Sequence, residues 1–154
     1  MRLESSVVIR RSPEHVWNFL EDVSNLPKWD RGVAAVQLIS SGAPAVGSEF
    51  DTLPYPRWPD DGPEWGRMSY RVTELDEADK VVAVVLTSTR GNARYFTTAV
   101  WRTHVEGVPD GSRVSCSADF TLRLRYWFLA PILYSAKRSI RADLETLRRV
   151  LEDS

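Results

Sequence analysis

The sequence predicts an α+β fold in which one curved antiparallel sheet of about seven strands wraps around a long C-terminal helix, with two short helices after the first strand. Three observations support this prediction. Apolar and polar residues alternate near the N-terminus and repeatedly between residues 33 and 124, as in half-buried strands. Residues that favour turns divide this central region at short intervals. From residue 129 onward, apolar residues recur at spacings of three and four, which is the period of a helix.

Length and composition indicate one globular domain over residues 1–154. The formal net charge of −1 provides no general basic surface, so we expect neither nucleic acid nor an anionic membrane as the main partner, although local patches are compatible with this balance. The single cysteine, Cys116, excludes an intramolecular disulfide and a cysteine-based metal cluster. The N-terminus lacks the apolar core of a secretory signal, and we therefore expect a cytoplasmic protein.

The first elements follow from local patterns. Residues 3–9 alternate between apolar and more polar side chains, which predicts a strand. Ser12 is a good helix cap and Pro13 suits the first helical position, so a short helix should run from there to Leu20. A second short helix or turn is predicted over residues 23–29.

The central region is predicted to be an antiparallel meander. Clusters of glycine, proline, aspartate and asparagine fall between its apolar runs, where turns need them. The predicted strands cover residues 33–40, 47–53, 66–75, 81–89, 94–105 and 112–124.

The C-terminal segment carries one apolar stripe. We predict a single helix of more than twenty residues, with Pro131 in its first turn. Its stripe must pack against the sheet, and a curved sheet leaves a cavity beside the helix where side chains do not fill the space. The stripe consists of Leu129, Leu133, Ala136, Ile140, Leu144, Leu147 and Leu151.

Several stretches of the sequence are typical of one superfamily. They are residues 9–22 (IRRSPEHVWNFLED), 25–29 (NLPKW) with Gly32-Val33, 46–50 (VGSEF), 70–74 (YRVTE) and 111–114 (GSRV). With the order of elements, they resemble the START-like superfamily, also called SRPBCC or helix-grip proteins, and most closely its polyketide cyclase/dehydrase branch. The resemblance covers nearly the whole chain. It implies a deep apolar cavity whose ligands range from lipids and quinones to polyketides, and many members are not enzymes.

The segment from Pro54 to Glu64 departs from that resemblance, because it looks longer and more aromatic than the usual connection. Its four prolines stiffen the stretch that carries the rings of Tyr55, Trp58 and Trp65. They could close the cavity as a lid, plug the end of the sheet, or form a dimer contact, and these alternatives stay open.

The predicted ligand-binding residues lie on the faces that should line the cavity. Along strand 94–105, alternation places Tyr95, Thr97, Trp101 and Thr103 on one face, and neighbouring strands extend the same surface. Leucine and alanine side chains of the terminal helix face it. The predicted set is Phe50, Thr52, Tyr55, Trp58, Trp65, Met68, Tyr70, Tyr95, Thr97, Trp101, Phe120, Leu129, Leu133 and Ala136.

Other reactive residue types fit structural roles better. Cys116 lies in an apolar stripe and is predicted to be a small buried residue, and Asp30 is predicted to be a turn residue. The family resemblance treats Trp29 as part of the architecture. The two histidines, His15 and His104, belong to no spaced metal motif, so we expect no metal and no cofactor.

Three functions are compatible with the sequence. The first is binding of a hydrophobic or aromatic small molecule, such as a lipid, a quinone or a polyketide-like compound. The alternative is a polyketide cyclase, aromatase or dehydratase, for which Arg67, Tyr70 and Tyr95 are the first catalytic candidates because arginine stabilises an enolate and tyrosine transfers a proton. The third is an adaptor that binds another protein. Transient membrane contact through residues 126–134, and a homodimer, stay open as well.

Overall fold

The computed structural model describes residues 1–56, 62, 66–88 and 91–154. These residues form one antiparallel sheet of seven strands together with four α-helices, which confirms the predicted α+β fold. The strands are β1 (Arg2–Ile9), β2 (Ala35–Leu38), β3 (Glu49–Leu53), β4 (Met68–Asp76), β5 (Val81–Leu86), β6 (Phe96–Val108) and β7 (Gly111–Leu122). The helices are α1 (Pro13–Leu20), α2 (Leu26–Trp29), α3 (Ala130–Tyr134) and α4 (Ala136–Glu152). Short 3₁₀ turns span Val23–Asn25, Gly91–Tyr95 and Leu124–Leu129.

The sheet has the order β1-β7-β6-β5-β4-β3-β2. Strands β2 to β7 therefore follow one another as a meander, as the spacing of turn residues predicts. Strand β1 lies outside this succession and pairs with β7, where Leu3 is opposite Ala118 and Ile9 is opposite Ser112. The first and second strands of the chain thus form the two edges of the sheet.

Helix α1 begins as its sequence predicts. The Ser12 Oγ accepts a hydrogen bond from the backbone N–H of His15 at 3.2 Å, and Pro13 occupies the first turn. Val16, Trp17 and Leu20 recur on one face and are buried.

The tightest turn of the sheet joins β6 to β7. Val108 pairs with Gly111 across this turn. Gly111 has a φ of 142°, and a Cβ at this position would collide with the carbonyl oxygen of Ile9. Glycine is therefore required here for both its backbone angle and its small size.

A packed core lies between the β1–β7 side of the sheet and helices α1 and α4. Its largest fully enclosed side chains include Trp17, Ile9 and Leu147. This packed core consists of Val7, Ile9, Val16, Trp17, Leu20, Val105, Val114, Cys116, Leu144, Leu147 and Leu151. A smaller cluster of Leu3, Ala99, Ala118 and Phe120 lies further along the same strands.

The C-terminal segment differs from the prediction of one uninterrupted helix of more than twenty residues. It forms a 3₁₀ turn, then α3, then the 17-residue helix α4, with a break at Ser135. At the break, the N–H of Ser135 donates to the carbonyl of Ile132 at 3.1 Å, and the Ser135 hydroxyl donates to the same carbonyl at 2.5 Å. A serine hydroxyl can satisfy a carbonyl of the preceding turn in this way, which favours a tighter turn over a continuous helix. None of the helices in the described part of the chain has both the length and the apolar character to cross a bilayer.

Candidate functional site

A cavity of about 150 Å³ lies between the sheet and helices α2 and α4. It occupies the β3–β6 side of the sheet and borders the packed core, with which it shares Leu20, Cys116 and Leu144. Its walls are mostly apolar, as is usual for sites that bind small organic molecules. The lining residues are Leu20, Asp22, Val23, Leu26, Trp29, Asp30, Val33, Phe50, Thr52, Tyr70, Val82, Val84, Trp101, Thr103, Cys116, Ile140, Asp143 and Leu144.

Aromatic rings from three adjacent or nearby strands form one wall of the cavity. The rings of Phe50 and Tyr70 stack with their centroids 5.4 Å apart, and Trp101 meets the Tyr70 ring edge-on at 5.3 Å. Behind this wall, the buried Phe120 packs edge-on against Trp101 at 5.3 Å. Each ring is in contact with at least one other, so packing fixes the shape of this apolar wall.

The cavity is lined from the helical side by three aspartates, of which Asp22 accepts a hydrogen bond from the Ser24 N–H and the other two, Asp30 and Asp143, lie close together. Asp30 follows α2, and its Oδ1 accepts a hydrogen bond from the backbone N–H of Gly32 at 2.9 Å. Asp143 projects from α4 and accepts hydrogen bonds from Arg31 through its backbone N–H at 3.2 Å and its Nε at 3.4 Å. The turn after α2 therefore brings both carboxyl groups to the same edge of the cavity.

Burial changes the protonation of these carboxyl groups. The pKa of Asp30 rises from 3.8 to about 6, first because the group is buried and second because Asp143 is close, while the hydrogen bond from Gly32 opposes the shift. Burial also raises the pKa of Asp143, and the contacts with Arg31 oppose that shift. Asp30 can therefore exchange a proton near neutral pH, which an exposed aspartate would not do.

Two other titratable groups of the cavity stay protonated. Burial raises the pKa of Tyr70 above its ordinary value, the charge of Asp30 adds to the shift, and a hydrogen bond with the Thr52 side chain opposes it. Burial likewise raises the pKa of the Cys116 thiol to about 11, opposed mainly by its hydrogen bond with Thr103. Tyr70 can therefore donate a hydrogen bond to a ligand, whereas Cys116 is a thiol rather than a reactive thiolate.

The cavity contains four of the predicted ligand-binding residues, which are Phe50, Thr52, Tyr70 and Trp101. Met68 lies next to it, because its Sδ accepts a hydrogen bond from the Tyr70 hydroxyl at 3.6 Å. The other described members of the predicted set do not line the cavity. Phe120 lies behind Trp101, Ala136 packs against the smaller cluster, Leu129 and Leu133 are half-buried in the C-terminal segment, and Tyr55 is 58% exposed.

A β-bulge explains why Tyr95 and Thr97 are not with Trp101. The pairing of β6 with β7 shifts between Phe96 and Thr98, so Thr97 is an extra residue in its strand. Such a shift reverses the side-chain alternation on one side of it. Phe96 consequently joins Trp101 against the smaller cluster, whereas Thr97 is exposed and donates its hydroxyl hydrogen bond to the carbonyl of Thr121 at 3.0 Å. The bulge thus limits the predicted cavity face of β6 to its central part.

Two of the three catalytic candidates lie outside the cavity. Arg67 donates hydrogen bonds to Asp51 at 2.9 Å and Gln37 at 2.8 Å, and these partners lie on the opposite face of the sheet from Phe50 and Thr52. Tyr95 packs its ring edge-on against Tyr126, with centroids 4.9 Å apart, and accepts a hydrogen bond from Arg94. Only Tyr70 of this group lines the cavity.

Trp58 and Trp65 lie outside the described residues. Whether residues 54–65 form a lid, a plug or an interface therefore stays a prediction. Tyr55, which is exposed, is the one ring of these residues that the structure describes.

Sequence reasoning missed Asp30 and Asp143 as cavity residues. Asp30 does act as a turn residue, as predicted, but its side chain also faces the cavity. A signal for Asp143 was present, because it lies three residues after Ile140 and one before Leu144, within the apolar stripe of the terminal helix. A carboxylate in such a stripe is unusual unless it is paired or faces a polar site. No group of three or more metal-binding side chains occurs in the described ranges.

Residues 1–152 match the family described as polyketide cyclase / dehydrase and lipid transport. The chain belongs to this family. The match covers nearly every residue and confirms the resemblance to the START-like superfamily that the sequence motifs indicate.

Solved structures with the same fold share little sequence with this family member. The Zhui aromatase/cyclase from Streptomyces sp. R1128 superposes with a TM-score of 0.78 at 17% identity, over 99% of this chain and 93% of that one. Ara h 8.0201 superposes with a TM-score of 0.75 at 11% identity, over 100% and 99% of the two chains. The di-domain ARO/CYC BexL gives 0.75 at 15% identity, over 99% of this chain and 46% of its own. At these identities the superpositions establish the helix-grip fold. No curated protein sequence gives a match.

Proposed function

We propose that this family member binds a hydrophobic or aromatic small molecule in the cavity between its curved sheet and C-terminal helix. The observation that supports the proposal is the ring wall of Phe50, Tyr70 and Trp101 around unfilled space, with only a few polar groups among apolar residues. The family description, which includes lipid transport, agrees with an apolar ligand. We further propose a cytoplasmic location, as expected from the sequence.

The polar groups of the cavity restrict the ligand. Asp30 and Asp143 would repel an anionic group, and both accept hydrogen bonds, whereas Tyr70 can donate one. A neutral ligand with a hydroxyl group satisfies these partners best. A cavity of about 150 Å³ is of the size that holds a single aromatic ring, so the enclosed portion of the ligand should be small and flat.

A second candidate is an enzyme of the cyclase, aromatase or dehydratase type, and the presence of Asp30 and Tyr70 in the same cavity supports it. Ionised Asp30 could accept a proton from a carbon next to a carbonyl group, while the protonated Tyr70 hydroxyl stabilises the oxygen of the resulting enolate. Arg67 and Tyr95 have no role in this scheme, since neither lines the cavity. Two structural neighbours, an aromatase/cyclase and a di-domain ARO/CYC, are named for the same class of reaction. The third function, an adaptor with a filled interior, fits less well because the interior contains a cavity.

The first experiment asks whether the protein carries or takes up an apolar molecule. The protein is purified gently, its mass is measured under native conditions, and the organic extract of the denatured sample is searched for a released compound. Uptake is measured in parallel with 2-naphthol, a neutral fluorescent aromatic whose hydroxyl-bearing ring is of the size that the cavity can enclose.

A matched pair of variants locates the binding. Thr103→Phe introduces a ring that fills part of the cavity. Because less space is left for the ligand, the affinity for 2-naphthol should fall at least about tenfold. Thr98→Phe makes the same change at an exposed position of the same strand and should leave the affinity unchanged. Equal affinities in both variants would reject the cavity as the binding site.

Turnover distinguishes the two candidates. If the released compound or a related β-carbonyl substrate is converted, Tyr70→Phe should reduce the turnover rate by about 100-fold or more while changing the affinity only a few-fold. A binding protein would show the same affinities with no conversion in the wild type.

A further inference from the structure

One segment of the chain presents large apolar side chains to solvent. Leu124 is 88% exposed, Trp127 is 71% exposed and Ile132 is 65% exposed, and Phe128 and Tyr134 are each more than half exposed. They belong to the 3₁₀ turn after β7 and to α3, and we call residues 124–134 the aromatic segment. Half of the ten large apolar side chains that are exposed in the described part of the chain lie within it. A concentration of this kind usually marks an interaction surface.

The exposure does not come from a loose chain end, because the aromatic segment is attached to the sheet. The backbone N–H of Arg123 donates to the carbonyl of Tyr95 at 2.9 Å, and its Nε donates to the carbonyl of Arg94 at 3.0 Å. The ring of Tyr126 packs edge-on against Tyr95 at 4.9 Å. Tyr126 and Leu129 are half-buried, whereas the five large apolar side chains face solvent. The aromatic segment is therefore fixed to the sheet while these side chains stay exposed.

The charges around the aromatic segment have one sign. Residues 120–142 contain five basic residues and no acidic residue, although the whole chain has 21 acidic and 20 basic residues. Such a distribution creates a local positive field in a protein that is nearly neutral. The basic residues are Arg123, Arg125, Lys137, Arg138 and Arg141.

We propose that the aromatic segment docks the protein on the surface of a bilayer that contains anionic phospholipids. Trp127, Phe128 and Ile132 would enter the headgroup region, where tryptophan is favoured because its ring is apolar and its N–H can be hydrated. The flanking arginine and lysine side chains would meet the lipid phosphates. The segment lies on the surface without crossing the membrane.

Charge complementarity favours a membrane over a second copy of this chain. In a twofold-symmetric dimer built on the aromatic segment, the basic residues of one copy would lie close to those of the other. That arrangement repels, whereas an anionic surface attracts the basic residues. The aromatic rings would suit either partner, so the charges decide between them.

Vesicle binding tests the proposal with the full chain. Co-sedimentation is measured with vesicles of phosphatidylcholine alone and with vesicles in which about a third of the lipid is phosphatidylglycerol, at low salt and at about 0.5 M NaCl. We expect binding to the anionic vesicles at low salt, a blue shift of tryptophan fluorescence on binding, and weak binding to neutral vesicles. No binding to either vesicle, or equal binding to both, would overturn the proposal.

Matched variants test the surface itself. Trp127→Ser with Ile132→Ser should weaken vesicle binding at least about tenfold, whereas Leu38→Ser with Val46→Ser, which removes two other exposed apolar side chains, should leave it unchanged. Lys137→Gln with Arg138→Gln should weaken it about fivefold for each charge removed. Unchanged melting temperatures show that the variants are folded.

Two outcomes of the variant series would contradict membrane docking by this segment. Equal vesicle binding by the aromatic variant and its control would place the membrane contact elsewhere. Self-association of the wild type in sedimentation velocity that the aromatic variant abolishes, without vesicle binding, would identify a second copy of the chain as the partner.

Discussion

The two sides of the interior are built from the same kinds of residues but are filled differently. Under β1 and β7, the apolar side chains of α1 and α4 interlock, and Trp17, Ile9 and Leu147 are fully enclosed. Under β3 to β6, the short helix α2 and the N-terminal half of α4 cover a cavity of about 150 Å³. The packed core contains no carboxyl group, whereas the cavity has Asp30 and Asp143 at its edge.

The difference shows that one helix can serve two purposes along its length. Leu147 and Leu151 of α4 belong to the packed core, whereas Ile140 and Asp143, one to two turns earlier, line the cavity. Stability should therefore depend mainly on the packed core, and binding on the cavity. Substitutions placed on the two sides can test this separation.

The largest effect is expected from Leu147→Ala in the packed core. Removing a fully buried leucine side chain leaves a hole, and the free energy of unfolding should fall by about 3–4 kcal/mol. Urea unfolding measures the loss. The affinity for 2-naphthol should change less than about twofold, because Leu147 does not line the cavity. A large loss of affinity in the folded variant would mean that the two sides are not separate.

Asp30→Asn should raise the free energy of unfolding, by less than Leu147→Ala lowers it. The folded pKa of about 6 lies above the ordinary value of 3.8, so between these values the folded state holds a proton that the unfolded state releases. The contribution of this carboxyl group to the free energy of unfolding is therefore fully present below about pH 4 and is lost as the pH rises through about 6. Asparagine can still accept the Gly32 hydrogen bond, and it should stabilise the protein at pH 7.5 by about 2–3 kcal/mol.

Urea unfolding at several pH values checks this prediction. The gain from Asp30→Asn should shrink as the pH is lowered and vanish near pH 4. A gain that is the same at every pH would show that folding does not raise the pKa of Asp30.

The smallest effect on stability is expected from Tyr70→Phe. The hydroxyl makes a long contact of 3.6 Å with the Met68 sulfur and a hydrogen bond with the Thr52 side chain, and the loss of both should lower the free energy of unfolding by about 1 kcal/mol. Binding should be more sensitive, because the hydroxyl is one of the few donors in the cavity. The variant should bind 2-naphthol several-fold more weakly and naphthalene with unchanged affinity. An equal loss for both compounds would assign the effect to ring packing.

The order of elements was predictable because it depends on periodicity, which long amphipathic segments repeat many times. The alternation in β7 and the spacing of leucines in α4 are signals of this kind. The features that differ from the prediction depend on single residues. The Ser135 hydroxyl satisfies a backbone carbonyl and interrupts the helix, and the extra residue Thr97 reverses the alternation of β6.

The candidate site was predictable only where it follows from alternation within one strand. Phe50, Thr52, Tyr70 and Trp101 satisfy that condition and line the cavity. Asp30 and Asp143 come together from segments more than 100 residues apart, and their proximity depends on how α2 sits against α4. The place of Asp143 in the apolar stripe of the terminal helix indicates that it faces inward, but no sequence pattern indicates that it meets Asp30.

The position of β1 beside β7 has a consequence for how the chain folds. Strands β2 to β7 can pair in the order in which the ribosome releases them, but Arg2 pairs with Asp119, so the first strand has no partner until more than 100 further residues have been synthesised. Closing so long a loop costs entropy before the new contacts form, and it slows folding. The packed core includes Val7 and Ile9, so it can be completed only after this closure, and the earliest-made strand is among the last to be incorporated.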